Sequence, residues 1–213
     1  MSRAIAIDGP AASGKSTVAK LLSKQLNLVM VNSGAMYRAI AWKILDLGID
    51  AHNEVAVTKA LENINLECGI DASGRLSTVG FDGVVLDNEL RSEAVNSTVS
   101  PIAKIPAVRD LLLEEQRNYL KHNDVVMEGR DIGTVIFPDT PYKFFFQASE
   151  SVRQARREAE GITDSVAERD KQDSSRKNAP LKPAEDALLI DTGSLDREGV
   201  LQAVLDGLTQ RGW

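Results

Sequence analysis

The run Gly9-Pro10-Ala11-Ala12-Ser13-Gly14-Lys15-Ser16, continued by Thr17, constrains this chain more than any other. It fits G-x-x-x-x-G-K-[ST], a glycine-rich turn that cradles phosphate between a strand and a helix. Its flanks agree. Ala4-Ile5-Ala6-Ile7-Asp8 is a short apolar run, and Val18, Leu21, Leu22 and Leu26 recur at helical spacing. Glycines at 9 and 14 let the backbone curl and approach a ligand closely. The curled loop turns N–H groups inward, and the next helix adds its positive end. Lys15 is placed to reach the outer phosphates of a nucleoside triphosphate and Ser16 to hold Mg²⁺.

Composition narrows the classes. The chain has 213 residues, 43% hydrophobic and 26% charged, which allows one globular domain of moderate size with insertions. A net charge of −6 argues against nonspecific nucleic-acid binding, so any anion site must be built from local arginines. The single cysteine, Cys68, excludes an internal disulfide, and His52 and His122 lack metal-ligand spacing. The opening residues are too short an apolar run for a signal peptide, and no stretch approaches a membrane span. A cytoplasmic protein that binds neither nucleic acid nor membrane is expected.

Along the chain, Leu28-Val29-Met30-Val31 reads as a second buried strand, so strand, helix and strand imply a parallel sheet. Ser33 is read as the N-cap of a helix to Leu47, with Tyr37 and Arg38 in its first turns. On spacing alone Arg38 is equally a phosphate ligand or a solvated charge. Ile64 to Leu86 reads as a three-stranded antiparallel meander, inserted rather than part of the parallel sheet. Helices are expected at about 90–98 and 102–121, with Ser100-Pro101 as cap and first position of the second. Asp124-Val125-Val126-Met127 is a strand ending in Glu128-Gly129-Arg130-Asp131. Many strands end in an acid, but paired with the loop Glu128 suits the second Mg²⁺-handling element. Strands at 142–146 and 187–190 and a closing helix at 195–208 complete the pattern. The charged stretch from Ser149, broken at Gly161, reads as a flap rich in arginine.

Two classes of chemistry compete. A nucleotide-triggered switch of the GTPase kind would need an Asn-Lys-x-Asp element, which this chain lacks. A phosphotransferase needs a phosphate loop, a second anion site and a flap, and Arg38, Arg109, Arg130 and Arg176 are candidates for the second site. An acceptor that is itself a phosphate, with a second pKa of about 6, needs no general base. Kinases for various monophosphates or small metabolites, and an ATP-dependent switch without transfer, stay open at this level.

The loop at 9–17, Ser33-Gly34-Ala35-Met36-Tyr37-Arg38, the run from Glu128 to Pro138, and Arg169-Asp170 through Arg176 with Ala179-Pro180-Leu181 together closely resemble the bacterial cytidylate kinase family, from end to end. The resemblance implies a P-loop nucleoside monophosphate (NMP) kinase fold with a five-stranded parallel sheet flanked by helices. It divides the chain into a core (1–33, 120–157, 178–213), an NMP-binding domain at 34–119 with its three-stranded insert at about 62–87, and a short lid at 158–177. It implies transfer from MgATP to CMP or dCMP by a monomer, with UMP a poorer acceptor. By motif, Gly9 to Thr17 with Arg153 and Arg157 would bind ATP. Ser16 and Glu128 would hold Mg²⁺. Lys15, Arg38, Arg130 and Arg176 would grip the phosphates. Ser100, Arg109 and Asp131 would read cytosine, Ser33 and Tyr37 would line the same pocket, and Arg169 and Asp173 would sit near the sugar. The turn at 191–194 resembles the loop beside adenine. Three departures stand out: Asn32 where the family usually has Asp, Gln172 in place of a lid arginine, and a lid shorter than in long-lidded members.

Overall fold

The structure, a computed structural model, describes residues 2–159, 161, 165–175 and 179–213. Five strands form one parallel sheet: β1 Ala4–Asp8, β2 Val29–Asn32, β6 Val125–Gly129, β7 Tyr142–Gln147 and β8 Leu188–Asp191, in the order β2-β6-β1-β7-β8. β1 and β6 are buried along their whole length, as continuous apolar runs in a sheet covered on both faces must be. Alternation sends Ala4 and Ala6 to one core and Ile5 and Ile7 to the other. The first core takes α2 Ser33–Asp46, α4 Glu93–Ile102 and α5 Pro106–Asn118; the second takes α1 Lys15–Leu26 and α8 Arg197–Gln210. Register partners Asn32↔Glu128 and Asp8↔Gly129 bring the strands' C-terminal ends to one edge, where an open α/β sheet binds its ligand.

The meander forms as expected, from β3 Leu66–Ile70, β4 Ser77–Phe81 and β5 Val84–Val85. It also docks on the open edge of the parallel sheet. The Met30 N–H donates to the Arg75 carbonyl at 2.7 Å, and the Asn32 N–H donates to Ser77 Oγ at 3.3 Å. Trp42 of α2 stacks on Phe81 with ring centroids 6.0 Å apart. An edge strand that would expose unpaired backbone is thereby covered.

At three local points the structure adds to or departs from the sequence reading. Residues Glu54–Leu61 form a helix, α3, which the sequence reading passed over; Asn53 caps it by accepting the Ala56 N–H. Pro101 does not open a helix. It lies in the last turn of α4, which Ser92 caps, and the next helix starts at Pro106. An interior proline costs about 3 kcal/mol. Burying Val95, Val99 and Ile102, which are 1%, 8% and 0% exposed, contributes about 1.5–3 kcal/mol apiece and outweighs it. Third, Ser33 is not the cap of α2: Asn32 is, its Oδ1 accepting the Ala35 N–H at 3.0 Å. No helix among the described residues is long and apolar enough to cross a membrane.

Candidate active site

The strand β1 runs straight into the glycine-rich loop. Gly9 has φ 149°, and a Cβ there would lie 2.3 Å from the Phe146 carbonyl oxygen, so no other residue fits beside β7. Lys15 opens α1 with its side chain folded back under the loop: Nζ donates to the Pro10 carbonyl at 2.7 Å. Burial pushes the Lys15 ammonium down to about 7, and the nearby Arg130 cation adds to this, while Glu128, Asp8 and Asp173 oppose it.

Ser16 Oγ donates to Glu128 Oε1 at 2.8 Å, so the loop hydroxyl and the acid closing β6 meet. Two hard oxygen ligands at one point suit Mg²⁺, which keeps several waters and takes its other ligands from phosphates. Ser33 Oγ donates to the Glu128 carbonyl at 2.8 Å and ties the start of α2 to the end of β6. Gly129 permits this approach, because a Cβ there would lie 2.5 Å from Ser33 Oγ.

Arg130 follows directly. Its Nη1 donates to the Gly9 carbonyl at 3.0 Å, and its Nε pairs with Asp173 Oδ2 at 2.7 Å. Asp173 belongs to α7 Val166–Ser174, which also sends Asp170 to Arg153 at 2.6 Å. Arg153 and Arg157, both on α6 Glu150–Ala159, are buried, and Arg153 Nη1 reaches the Ala11 carbonyl at 3.4 Å. Arg38 on α2 feels Arg169, Arg130 and Arg157 as like charges and Glu128 as an opposite one. Burial and, next, Arg169 lower its pKa to about 10. Arg38, Arg130, Arg157 and Arg169, from α2, the end of β6, α6 and α7, thus lie near enough to act on one another as like charges, an arrangement that favours anion binding.

Beside this cluster, Arg109 of α5 forms a nearly buried ion pair with Asp131 through Nη2 and Oδ2. Burial works against the Arg109 cation, but Tyr37 and Asp131 hold its pKa above the ordinary arginine value. Its guanidinium lies 5.8 Å from the Tyr37 ring centroid. A cavity of about 390 Å³ opens here, lined by Tyr37, Pro106, Arg109, Leu113, Val135 and Ala179 among others. Ser100 lies outside that lining, half-buried in the last turn of α4. Arg176 lies outside the described residues.

One functional residue was missed. Asp8 is 4% exposed, and its two carboxylate oxygens accept the N–H groups of Ile132 and Gly133, each at 2.7 Å. It anchors the π-helical turn Ile132–Ile136 that follows Asp131. The acid closing an apolar strand just before Gly9 was the available signal. Burial raises the Asp8 carboxyl to about 7 against both N–H bonds and Lys15. A raised folded-state pKa means the native state holds the extra proton between about pH 4 and 7, so this group's contribution is lost as pH rises through 7. Asp8→Asn leaves one buried N–H without its acceptor, which costs about 1–3 kcal/mol. Thermal unfolding of the ligand-free protein at pH 5 is expected to show a midpoint lowered by roughly 3–10 °C, a gap that narrows at pH 8. An unchanged midpoint at both pH values would remove Asp8 from this role.

The chain matches the cytidylate kinase family model over residues 5–210. The cytidylate kinase of Pelotomaculum thermopropionicum is 42% identical, over 94% of this chain and 93% of that protein. That of Pseudomonas putida is 37% identical, over 99% of this chain and 97% of that protein. Among solved structures, a gluconokinase from Sinorhizobium meliloti shares the fold with a TM-score of 0.53 at 13% identity, covering 98% of this chain and 92% of that one. With the family model matched over nearly its whole length and relatives of that name 37–42% identical across almost all of it, the chain belongs to the cytidylate kinase family.

Proposed function

We propose that this protein transfers the γ-phosphoryl group of ATP to CMP or dCMP, giving ADP and CDP or dCDP. The observation that carries the reading is the adjacency of Arg130 and Asp131. The first donates to the phosphate loop's Gly9 carbonyl, and the second pairs with Arg109, which lines the cavity. Phosphate handling and base reading are therefore consecutive residues at the end of β6.

Cytosine suits that pair. Its exocyclic amino group donates to a carboxylate, and its ring nitrogen and carbonyl accept from a guanidinium; uracil reverses the pattern at two of these atoms. The acceptor phosphate is largely dianionic near pH 7 and is itself the nucleophile. The residues therefore position and neutralise rather than abstract a proton. Lys15 and the loop N–H groups hold the β- and γ-phosphates, while Arg38 and Arg130 bridge the acceptor phosphate and the transferring group. Arg176 completes that set by motif. Ser16 and Glu128 would hold the Mg²⁺, whose chemistry is to offset charge developing between the β- and γ-phosphates. Arg169 and Asp173 approach the sugar from α7, which lies within the lid at 158–177. Residues 34–119 form the acceptor domain, and the rest forms the core. A closed lid keeps water from the γ-phosphate.

ADP formation with MgATP against CMP, dCMP, UMP, AMP and no acceptor tests the reading. Turnover is expected to be highest with CMP or dCMP, lower with UMP and negligible without acceptor. A preference for AMP, or ADP release that ignores the acceptor, overturns it.

A further inference from the structure

The phosphate loop binds through its N–H groups, so its carbonyls must point away and find donors elsewhere. Each does. Besides Arg130 on Gly9, Lys15 on Pro10 and Arg153 on Ala11, Arg156 Nη1 donates to the Ala12 carbonyl at 3.3 Å and Thr192 Oγ1 donates to the Ser13 carbonyl at 3.0 Å. Arg156 has no role in the reading above, and Thr192 enters it only as part of the turn at 191–194.

They form one unit. Thr192 is 2% exposed and sits in the turn after β8. Its own N–H satisfies the Gln147 carbonyl at 2.8 Å, which leaves the hydroxyl proton for Ser13. The same hydroxyl accepts from Arg156 Nη1 at 3.2 Å, while Arg156 Nη2 donates to the Thr192 carbonyl at 2.6 Å. The hydroxyl lies 3.0 Å from the Ser13 carbonyl and 3.3 Å from the Gln147 carbonyl, so its proton goes to the nearer Ser13 while its oxygen accepts from Arg156 in a dry site. The residue held on the other branch is strained: Ala12 has φ 57°, in the left-handed region that an alanine adopts at a cost of about 1–2 kcal/mol. Such a conformation persists only where its surroundings over-determine it.

We propose that Thr192 and Arg156 are positioning residues for the ATP loop, fixing the Ala12 and Ser13 peptide planes so that their neighbours' N–H groups face the triphosphate. The pair joins the lid-base helix α6, the turn after β8 and the loop, so it sets donor affinity and leaves the acceptor pocket untouched. The inference rests on reading residues 9–17 as the triphosphate cradle.

The test is direct titration calorimetry of the whole protein with MgATP alone and, separately, with CMP alone. Thr192→Val keeps the shape and removes the hydroxyl, and is expected to weaken ATP roughly tenfold, the effect of one unmade buried hydrogen bond. CMP affinity should stay within about twofold, and Thr192→Ser should restore ATP affinity to within about twofold. Arg156→Gln, at a half-buried position, is expected to shift ATP affinity the same way, and the double variant should fall short of the product of the two effects. If Thr192→Val does not fold, as judged by circular dichroism, Arg156→Gln decides alone. Wild-type ATP affinity in the folded variants, or an equal loss for ATP and CMP, overturns the proposal. A wild-type protein that does not bind MgATP at all would instead overturn the reading of the loop.

Discussion

Arg130→Ala is expected to lower kcat by about three orders of magnitude while changing the KM for ATP only a few-fold. A guanidinium aimed at a transferring phosphoryl group is worth roughly 10³–10⁵ in related chemistry, because it acts where charge develops in a site shielded from water. Arg130 is placed for that. Its Nη1 lies against the Gly9 carbonyl, its Nε is oriented by Asp173 from α7, and it follows Glu128, which touches Ser16. ATP affinity should survive, because Lys15 and the loop's backbone amides remain. Arg130→Lys should not rescue turnover, since an ammonium cannot make both contacts in one plane. Steady-state kinetics with both substrates varied checks the split. A loss confined to ATP affinity would show that Arg130 merely props the loop.

Asp131→Asn is expected to shrink the CMP-over-UMP ratio of kcat/KM by about ten- to a hundredfold. A hydrogen bond to a charged group contributes about 1.5–3 kcal/mol, and an amide, which can both donate and accept, no longer penalises the uracil carbonyl. The change also leaves the Arg109 guanidinium, whose side chain is 11% exposed, without its ion-pair partner. Losing one member of a buried pair destabilises by a few kcal/mol, so a lower unfolding midpoint should accompany the altered preference. Competition assays with CMP and UMP separate the effects. Equal losses on both acceptors would make Asp131 a purely structural partner of Arg109.

The two variants divide a site whose parts differ in how openly the sequence displays them. The loop is local: strand, glycines, lysine and helix are contiguous, and one motif carries its geometry from Gly9 to Thr17. The parallel strands were equally legible, because burial on both faces demands unbroken apolar runs such as Val125 to Met127. Failures came where a local rule met a tertiary gain. Pro101 looked like a helix start until the burial of Val95, Val99 and Ile102 carried α4 through it. Ser33 looked like a cap, yet its hydroxyl serves the Glu128 carbonyl 95 positions away, and Asn32 takes the capping role. That also gives the departure at position 32 a physical use: the amide oxygen satisfies a helix end, as an aspartate would, without adding a carboxylate near Glu128.

By itself the sequence determined a phosphate-binding α/β core, an inserted antiparallel meander and, through its motifs, the family. Each rests on residues close together in the chain, where spacing alone fixes geometry. The tertiary structure alone decided which donors hold the loop. Arg130, Arg153, Arg156 and Thr192 lie 121 to 179 positions from the carbonyls they serve. It likewise decided that Asp8 anchors the turn after Asp131. No periodicity records such contacts, because they exist only once the parallel sheet has brought the ends of β1, β6, β7 and β8 to the same edge.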